Sequence, residues 1–155
     1  MRTELSDLDL EHIEEEAYLR LDILPGGVYE KLSELHAEGK KLVLATMRKN
    51  RPALLSQLEW LGIRRFFAEV ITCPHSAGGT GKARAVMALS LPAARCLWVG
   101  DTEADVEAAR FMGCKVWAVS SGIRTAGYLA SLRPDFLSQS LVDDVGIPES
   151  RPAVR

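Results

Sequence analysis

Short apolar runs alternate along the chain with longer segments in which apolar residues recur every three or four positions. Runs such as Leu42–Thr46 and Leu97–Gly100 have the length of strands, and their solid apolar character predicts burial on both faces. The segments between them have the period of a helix with one buried face. Strands that alternate with helices in this way are typical of βα units on a parallel sheet, so we predict an α/β fold.

Glycine and proline set the predicted boundaries, with Gly39, Gly62 and Gly113 placed where helices end. The predicted helices are 7–20, 28–38, 52–61, 82–89, 103–112 and 124–132, and the predicted strands are 41–46, 69–72, 96–100, 115–119 and 135–137. We predict that residues 73–81 form a glycine-rich loop. The organisation is predicted as an acidic N-terminal helix (1–24), an α/β core (25–146) and a loose C-terminal tail (147–155).

Composition narrows the function classes. The 155 residues suffice for one domain, and 47% are hydrophobic, as in a globular protein. With 19 basic and 21 acidic residues the net charge is −2, which predicts no binding to nucleic acid or to an anionic membrane. The apolar runs are too short to span a bilayer. Three cysteines without Cys-x-x-Cys spacing favour reduced thiols, and we predict a cytoplasmic protein.

Two acidic residues follow one predicted strand. Asp101 comes directly after strand 96–100, and Asp105 lies in the first turn of helix 103–112. Ligands of parallel sheets bind at the carboxyl ends of the strands, where both carboxylates can face one point. Carboxylate oxygens suit Mg²⁺, which takes one or two of them together with phosphate. The alternative is that Asp101 caps the helix and Asp105 complements its dipole.

Two further candidates follow other predicted strands. Lys82 is predicted to open a helix, where its positive charge interacts unfavourably with the helix dipole. A lysine that binds a phosphate or a carboxylate would compensate for this unfavourable interaction. The alternative is a solvated surface lysine. Thr46 ends its strand with a hydroxyl that can donate to a phosphoryl oxygen, and Arg48 and Arg51 nearby either add charge to this site or are solvated.

Taken in order, these segments resemble the motifs of the haloacid dehalogenase-like superfamily, whose members are mostly Mg²⁺-dependent phosphatases. Leu42–Thr46 resembles its second motif, a strand ending in a Thr or Ser that binds the phosphoryl group. Lys82 resembles its third motif, a lysine that steadies negative charge. The run from Gly100 to Asp105 resembles its fourth, Gly-Asp-x-x-x-Asp, which holds Mg²⁺. The similarity covers roughly residues 24–145 and is greatest to the phosphoglycolate phosphatase-like branch.

The resemblance implies a three-layer Rossmann-like core with a mostly parallel sheet. It also implies a Mg²⁺-dependent phosphatase acting on a small phosphomonoester. Asp101 and Asp105 are then the predicted metal ligands, and the predicted phosphate-binding residues are Thr46, Met47, Arg48 and Lys82, of which Thr46 and Lys82 also take part in catalysis.

The first motif of the superfamily departs from its usual form. That motif is Asp-x-Asp-Gly-Thr after an apolar strand in the middle of the sheet, and its first Asp is the nucleophile. The only Asp-x-Asp here is Asp7-Leu8-Asp9, which no apolar strand precedes. Asp7 is therefore either the nucleophile or a helix cap. On this comparison the acidic N-terminal helix is interpreted as the remnant of a cap domain, in a family member without its beginning.

Three functions follow from a degenerate or absent first motif. The chain is a working phosphatase, a non-catalytic domain that binds phosphate and Mg²⁺, or one half of a split enzyme whose partner chain supplies the central strand. A homodimer is the alternative to a separate partner chain, because an open sheet favours association.

Overall fold

Parallel strands and helices alternate along residues 19–146, the part of the chain that this computed structural model describes. The elements are α1 (Val28–Ala37), β1 (Leu42–Thr46), α2 (Arg51–Trp60), β2 (Phe67–Thr72), α3 (Gly78–Met87), β3 (Leu97–Gly100), α4 (Glu103–Met112), β4 (Lys115–Val119), α5 (Ala126–Ser131) and β5 (Phe136–Ser138). The predicted α/β class is confirmed. The predictions for Asp7, for most of helix 7–20 and for the tail concern residues outside the described range.

Contacts divide the chain into two compact units, residues 1–76 and 77–155. In the first unit β1 and β2 form a parallel pair, with Thr46 opposite Thr72 at its carboxyl end. Asn50 caps α2 by accepting a hydrogen bond from the Ala53 N–H, and Pro52 lies in the first turn of that helix. Six buried apolar side chains of this unit form one cluster: Leu32, Leu54, Leu58, Ile63, Phe66 and Val70.

In the second unit β3, β4 and β5 form a parallel sheet in that order. Its buried apolar residues come from α3, α4 and α5 and from β3 and β4, and include Ala83, Val86, Trp98, Val106, Ala108, Ala109, Met112, Val116, Trp117, Ala118 and Leu129. The prediction of strands buried on both faces holds for β4, whose last four residues are buried. It is wrong for β1, where every residue is only half-buried, and for β3, where Val99 is exposed. Within residues 19–146, β1 pairs with β2 alone.

One predicted boundary is wrong for a physical reason. Residues 78–81 are the first turn of α3 rather than the end of a loop, so Lys82 lies inside the helix. A Cβ at Gly79 would overlap the Ala104 carbonyl oxygen and the Glu107 side chain, so the glycine allows α3 and α4 to pack closely. Thr80 adds a hydrogen bond to Glu107, 2.9 Å between oxygens. Gly79 therefore serves helix packing, which the usual preference of glycine for loops conceals.

No helix among the described residues is long and apolar enough to cross a membrane.

Candidate functional site

Asp101 lies between the end of β3 and the start of α4 and is half-buried. Its Oδ2 accepts a hydrogen bond of 2.9 Å from the backbone N–H of Ile123, in the segment after β4. Its Oδ1 accepts no hydrogen bond from a described residue, so this oxygen is available to a ligand. The helix cap is Thr102, and the alternative that Asp101 caps the helix is therefore wrong.

Two glycines allow the chain to approach the acidic side chains closely. A Cβ at Gly122 would overlap the carboxyl group of Asp101, and a Cβ at Gly100 would overlap that of Asp105. Any other residue at these positions would displace one of the carboxylates. Gly100 therefore allows a close approach to Asp105, and Gly122, in the segment after β4, allows the same approach to Asp101.

Asp105 is buried, and each of its two oxygens accepts two hydrogen bonds. Oδ1 accepts from Lys82 Nζ at 2.6 Å and from Trp98 Nε1 at 3.0 Å. Oδ2 accepts from the backbone N–H of Thr102 at 3.2 Å and from its hydroxyl at 2.8 Å. The bond to the Thr102 N–H satisfies a free donor at the start of α4, so Asp105 does support the helix terminus. Direct metal binding by Asp105 would require one of these donors to be displaced.

The charge state of Asp105 follows from these contacts. Burial by itself would raise the pKa of its carboxyl group. The charge of Lys82 and the hydrogen bonds from Lys82, Trp98 and Thr102 outweigh burial and hold the pKa below its ordinary value. Asp105 is therefore ionised at neutral pH and holds a lysine cation in place.

Lys82 is 8% exposed, so the alternative of a solvated surface lysine is wrong. Its Nζ lies 5.7 Å from the centroid of the Trp98 ring in addition to its ion pair with Asp105. A buried ammonium group needs such partners because its desolvation is costly. The Lys82 cation on α3 is thus fixed between the Asp105 carboxylate in the first turn of α4 and the Trp98 ring on β3.

Glu103 and Arg124 connect the start of α4 to the segment that carries Ile123. The guanidinium donates to both oxygens of Glu103 at 2.7 Å, through Nε and through one terminal nitrogen. These bonds raise the pKa of Arg124. A two-bond pairing has defined geometry, so it fixes the segment whose backbone N–H reaches Asp101.

The described residues offer Mg²⁺ a partial ligand set. Within residues 19–146 no three His, Cys, Asp or Glu side chains converge on one point. Mg²⁺ keeps several waters and usually takes one or two protein carboxylates plus phosphate oxygens. One carboxylate with a free oxygen at a strand end fits that requirement, and Asp101 is this carboxylate. The assignment of Asp105 as a second ligand stays a prediction.

Thr46 lies in the first unit, at the carboxyl end of β1, where its carbonyl oxygen accepts from the Cys73 N–H at 2.9 Å. Met47 and Arg48 follow it and are half-buried. Thr46 and Arg48 line one cavity of about 310 Å³. The predicted roles of Thr46, Met47 and Arg48 in phosphate binding stay predictions.

Four polar side chains of this region were not predicted from the sequence. Trp98 and Thr102 donate hydrogen bonds to Asp105. Gln57 accepts a hydrogen bond from Arg48 and donates one to Asp22. Trp98 resembles an ordinary core residue of a strand, and its hydrogen bond to Asp105 has no signature in the sequence. Thr102 stands three residues before Asp105, the spacing of a capping pair, and that signal was available. Gln57 interrupts the buried face of α2 between Leu54 and Leu58, and a polar residue at such a position indicates a specific partner.

The fold and these side chains define a class: an α/β protein of parallel strands, with an acidic side chain after β3 and a buried lysine–aspartate pair beside it. The family model for haloacid dehalogenase-like hydrolases matches residues 10–119, and the chain belongs to that family. The resemblance stated from the sequence motifs is thereby confirmed.

Individual relatives support this assignment. The chain is 34% identical over 139 residues to a phosphoglycolate phosphatase of Vibrio cholerae, a match covering 82% of this chain and 56% of that protein. It is 28% identical over 128 residues to the pyrophosphatase PpaX of Halalkalibacterium halodurans, covering 78% and 59%. The chain therefore spans a little over half the length of these relatives.

A solved structure of a haloacid dehalogenase-like family protein from Streptococcus pneumoniae has the same fold. It superposes with a TM-score of 0.69 at 21% identity, covering 79% of this chain and 59% of that one. At this identity the likeness supports the fold alone.

Proposed function

We propose that this chain is a Mg²⁺-dependent phosphatase that acts on a small phosphorylated metabolite. The observation that carries the proposal is the buried Lys82–Asp105 pair together with Asp101, which stands four residues before Asp105 and has one carboxylate oxygen available. A fixed cation and a metal-binding carboxylate are the groups that phosphoryl transfer requires, because its catalysis rests mainly on positioning and charge stabilisation.

Each residue has a distinct role in this proposal. Asp101 would hold Mg²⁺, which when bound neutralises charge on the phosphoryl oxygens. Lys82 donates to a phosphoryl oxygen, and Asp105 keeps the lysine charged and oriented. Thr46, together with the Met47 backbone and Arg48, binds the phosphoryl group as the family resemblance implies.

The substrate class is proposed from the relatives. Those matched proteins are named for phosphoglycolate and for pyrophosphate, which are both small and carry more than one acidic group. Because the chain spans about half of their length, we propose a substrate class and do not assign either named substrate to this chain. The proposal is limited to a small phosphomonoester.

The nucleophile and the oligomeric state are separate questions. Covalent phosphoryl transfer needs an activated carboxylate, and Asp7 is the predicted candidate.

β1 has a strand on one edge only within residues 19–146, and an open edge favours pairing with another strand. A homodimer or a partner chain that adds a strand there stays part of the proposal.

Hydrolysis of p-nitrophenyl phosphate by the full chain tests the function. We expect turnover with MgCl₂, loss of turnover with excess EDTA, and at least about a hundredfold loss in Asp101→Asn and in Lys82→Met. Glu107→Gln makes the same charge change on an exposed residue of α4 and should keep full activity. Asp7→Asn tests the predicted nucleophile.

Equal turnover in the presence and absence of Mg²⁺ would refute the metal requirement. If the chain binds Mg²⁺ and phosphate but shows no turnover, the non-catalytic alternative replaces the phosphatase. Recovery of turnover only on mixing with a second polypeptide would support the split enzyme.

A further inference from the structure

The segment between β4 and α5, residues 120–125, borders Asp101 without belonging to a helix or a strand. At one end the backbone N–H of Ser120 donates to a carbonyl oxygen of β5 at 2.9 Å. At the other end the Thr125 side chain caps α5. Between these two anchors the Ile123 N–H donates to Asp101 Oδ2 at 2.9 Å. The position of the segment therefore determines where this hydrogen bond reaches the carboxylate.

One ion pair connects the middle of this segment to α4. Arg124 donates to both oxygens of Glu103, the first residue of α4, at 2.7 Å. Its guanidinium carbon also lies 5.9 Å from the centroid of the Tyr128 ring in α5. Most surface ion pairs contribute little to stability, but a guanidinium that makes two bonds to one carboxylate defines the relative position of the two groups. Arg124 thus connects the segment to α4 and to α5.

The segment restricts the orientation of the Asp101 carboxylate. The Ile123 N–H occupies Oδ2, and Gly122 lies so close that a Cβ there would overlap the carboxyl group. The carboxylate therefore has little room to turn, and it presents Oδ1 to a ligand. Mg²⁺ requires near-ideal octahedral geometry at short distances, whereas Ca²⁺ accepts flexible geometry and can take both oxygens of a carboxylate. A fixed carboxylate with one available oxygen suits the smaller cation.

We propose that Glu103 and Arg124 are positioning residues that hold the Asp101 carboxylate in this orientation and thereby make the site prefer Mg²⁺ to Ca²⁺. Neither side chain is a metal ligand, and both act through the Ile123 N–H. Partners that orient a metal ligand commonly change the metal affinity by about tenfold or more. The inference rests on the proposed function, because it takes Asp101 to be the metal ligand.

Calorimetric titration of Mg²⁺ and, separately, of Ca²⁺ into the full chain in phosphate-free buffer tests the inference without requiring turnover. We expect Arg124→Met and Glu103→Gln each to weaken Mg²⁺ binding about tenfold. Ca²⁺ binding should weaken by no more than about twofold, because that cation tolerates a mobile ligand. Arg95→Met removes the same charge from an exposed residue before β3 and should bind both cations like the unaltered chain.

The two variants separate positioning from simple charge. By charge alone, Arg124→Met would strengthen cation binding and Glu103→Gln would weaken it. Positioning predicts that both variants lose Mg²⁺ affinity. The double variant should lose no more than either single variant, because both substitutions break the same contact. Opposite changes in the two single variants would overturn the inference.

Hydrogen exchange of the metal-free chain is a second readout, which does not depend on metal binding. We expect the amides of residues 120–125 to exchange faster in Arg124→Met and in Glu103→Gln than in the unaltered chain, because the segment loses its connection to α4. Unchanged exchange in this segment would show that the pair does not hold it, and the inference would be wrong.

Failure of the inference is distinguishable from failure of the proposed function. If Asp101→Asn loses Mg²⁺ binding while Arg124→Met and Glu103→Gln keep the affinity and the Mg²⁺ preference of the unaltered chain, Asp101 is the metal ligand and only the inference is rejected. An unaltered chain that binds Ca²⁺ as tightly as Mg²⁺ also rejects it. Mg²⁺-dependent hydrolysis of p-nitrophenyl phosphate tests the function independently of these results.

Discussion

Asp105 shows how one side chain supports both the structure and the proposed chemistry. Its four hydrogen bonds come from an ammonium group, an indole, a hydroxyl and a backbone N–H. Removal of one partner of a buried ion pair leaves the other charge without compensation, which costs more free energy than the pair contributes when intact. The site is therefore sensitive to Asp105 even if another residue binds the metal.

Asp105→Asn should lower the free energy of unfolding by roughly 3–5 kcal/mol at pH 7, because Lys82 is left buried and unpaired. The folded-state pKa of Asp105 is depressed below its ordinary value of 3.8. Its contribution is therefore present above that value and is lost as the pH falls through the folded-state pKa. The difference between the two proteins should shrink on acidification, as urea unfolding at several pH values will measure.

Asp143→Asn is the matched control, because Asp143 is exposed and accepts one hydrogen bond from the Ser140 N–H. Its effect should stay within about 0.5 kcal/mol. An Asp105→Asn protein as stable as this control would show that the buried pair does not support the fold.

The sequence was sufficient to predict which residues form the candidate site, but not which side chains they contact. Asp101, Asp105 and Lys82 follow from their order and from their positions relative to predicted strands. The contact between Gln57 and Asp22 spans 35 positions of sequence. Such a contact depends on tertiary packing, which local patterns do not encode.

The packing of α3 against α4 determines where Lys82 meets Asp105. Gly79 allows this contact, because any Cβ there would meet the Ala104 carbonyl oxygen, a backbone atom that cannot move aside. The predicted loop extended too far, over residues 78–81, because glycine preferences are weak and tertiary packing overrides them. The other element boundaries shift by only one or two residues, since apolar periodicity determines them more firmly.

Gly79→Ala should destabilise the protein by about 1–3 kcal/mol, because the two helices must separate to admit the methyl group. Gly127→Ala is the matched control in α5, where nothing lies within 4 Å of the added Cβ. There alanine should be neutral or stabilising by up to about 1 kcal/mol, because it favours the helix. Thermal unfolding measures both, and an equal response of the two variants would contradict the packing role of Gly79.

At the scale of the molecule, the α/β class was predictable because the strand and helix periods differ clearly along the chain. The half-buried character of β1 was not, because an apolar run gives no sign of how many neighbours its strand will have. The net charge of −2 is small, so the field of the whole molecule attracts neither a metal ion nor a phosphoryl group strongly. In the proposed function the local charges of Asp101 and Lys82 attract them instead.

Binding of Mg²⁺ by Asp101 is central to the proposed function, and calorimetric titration of Mg²⁺ into the full chain with saturating inorganic phosphate tests it directly. We predict that the unaltered chain and Glu107→Gln bind Mg²⁺ alike, whereas Asp101→Asn, folded by circular dichroism, loses at least about tenfold in affinity. Equal affinity in Asp101→Asn, or no Mg²⁺ binding by the unaltered chain, would contradict the account.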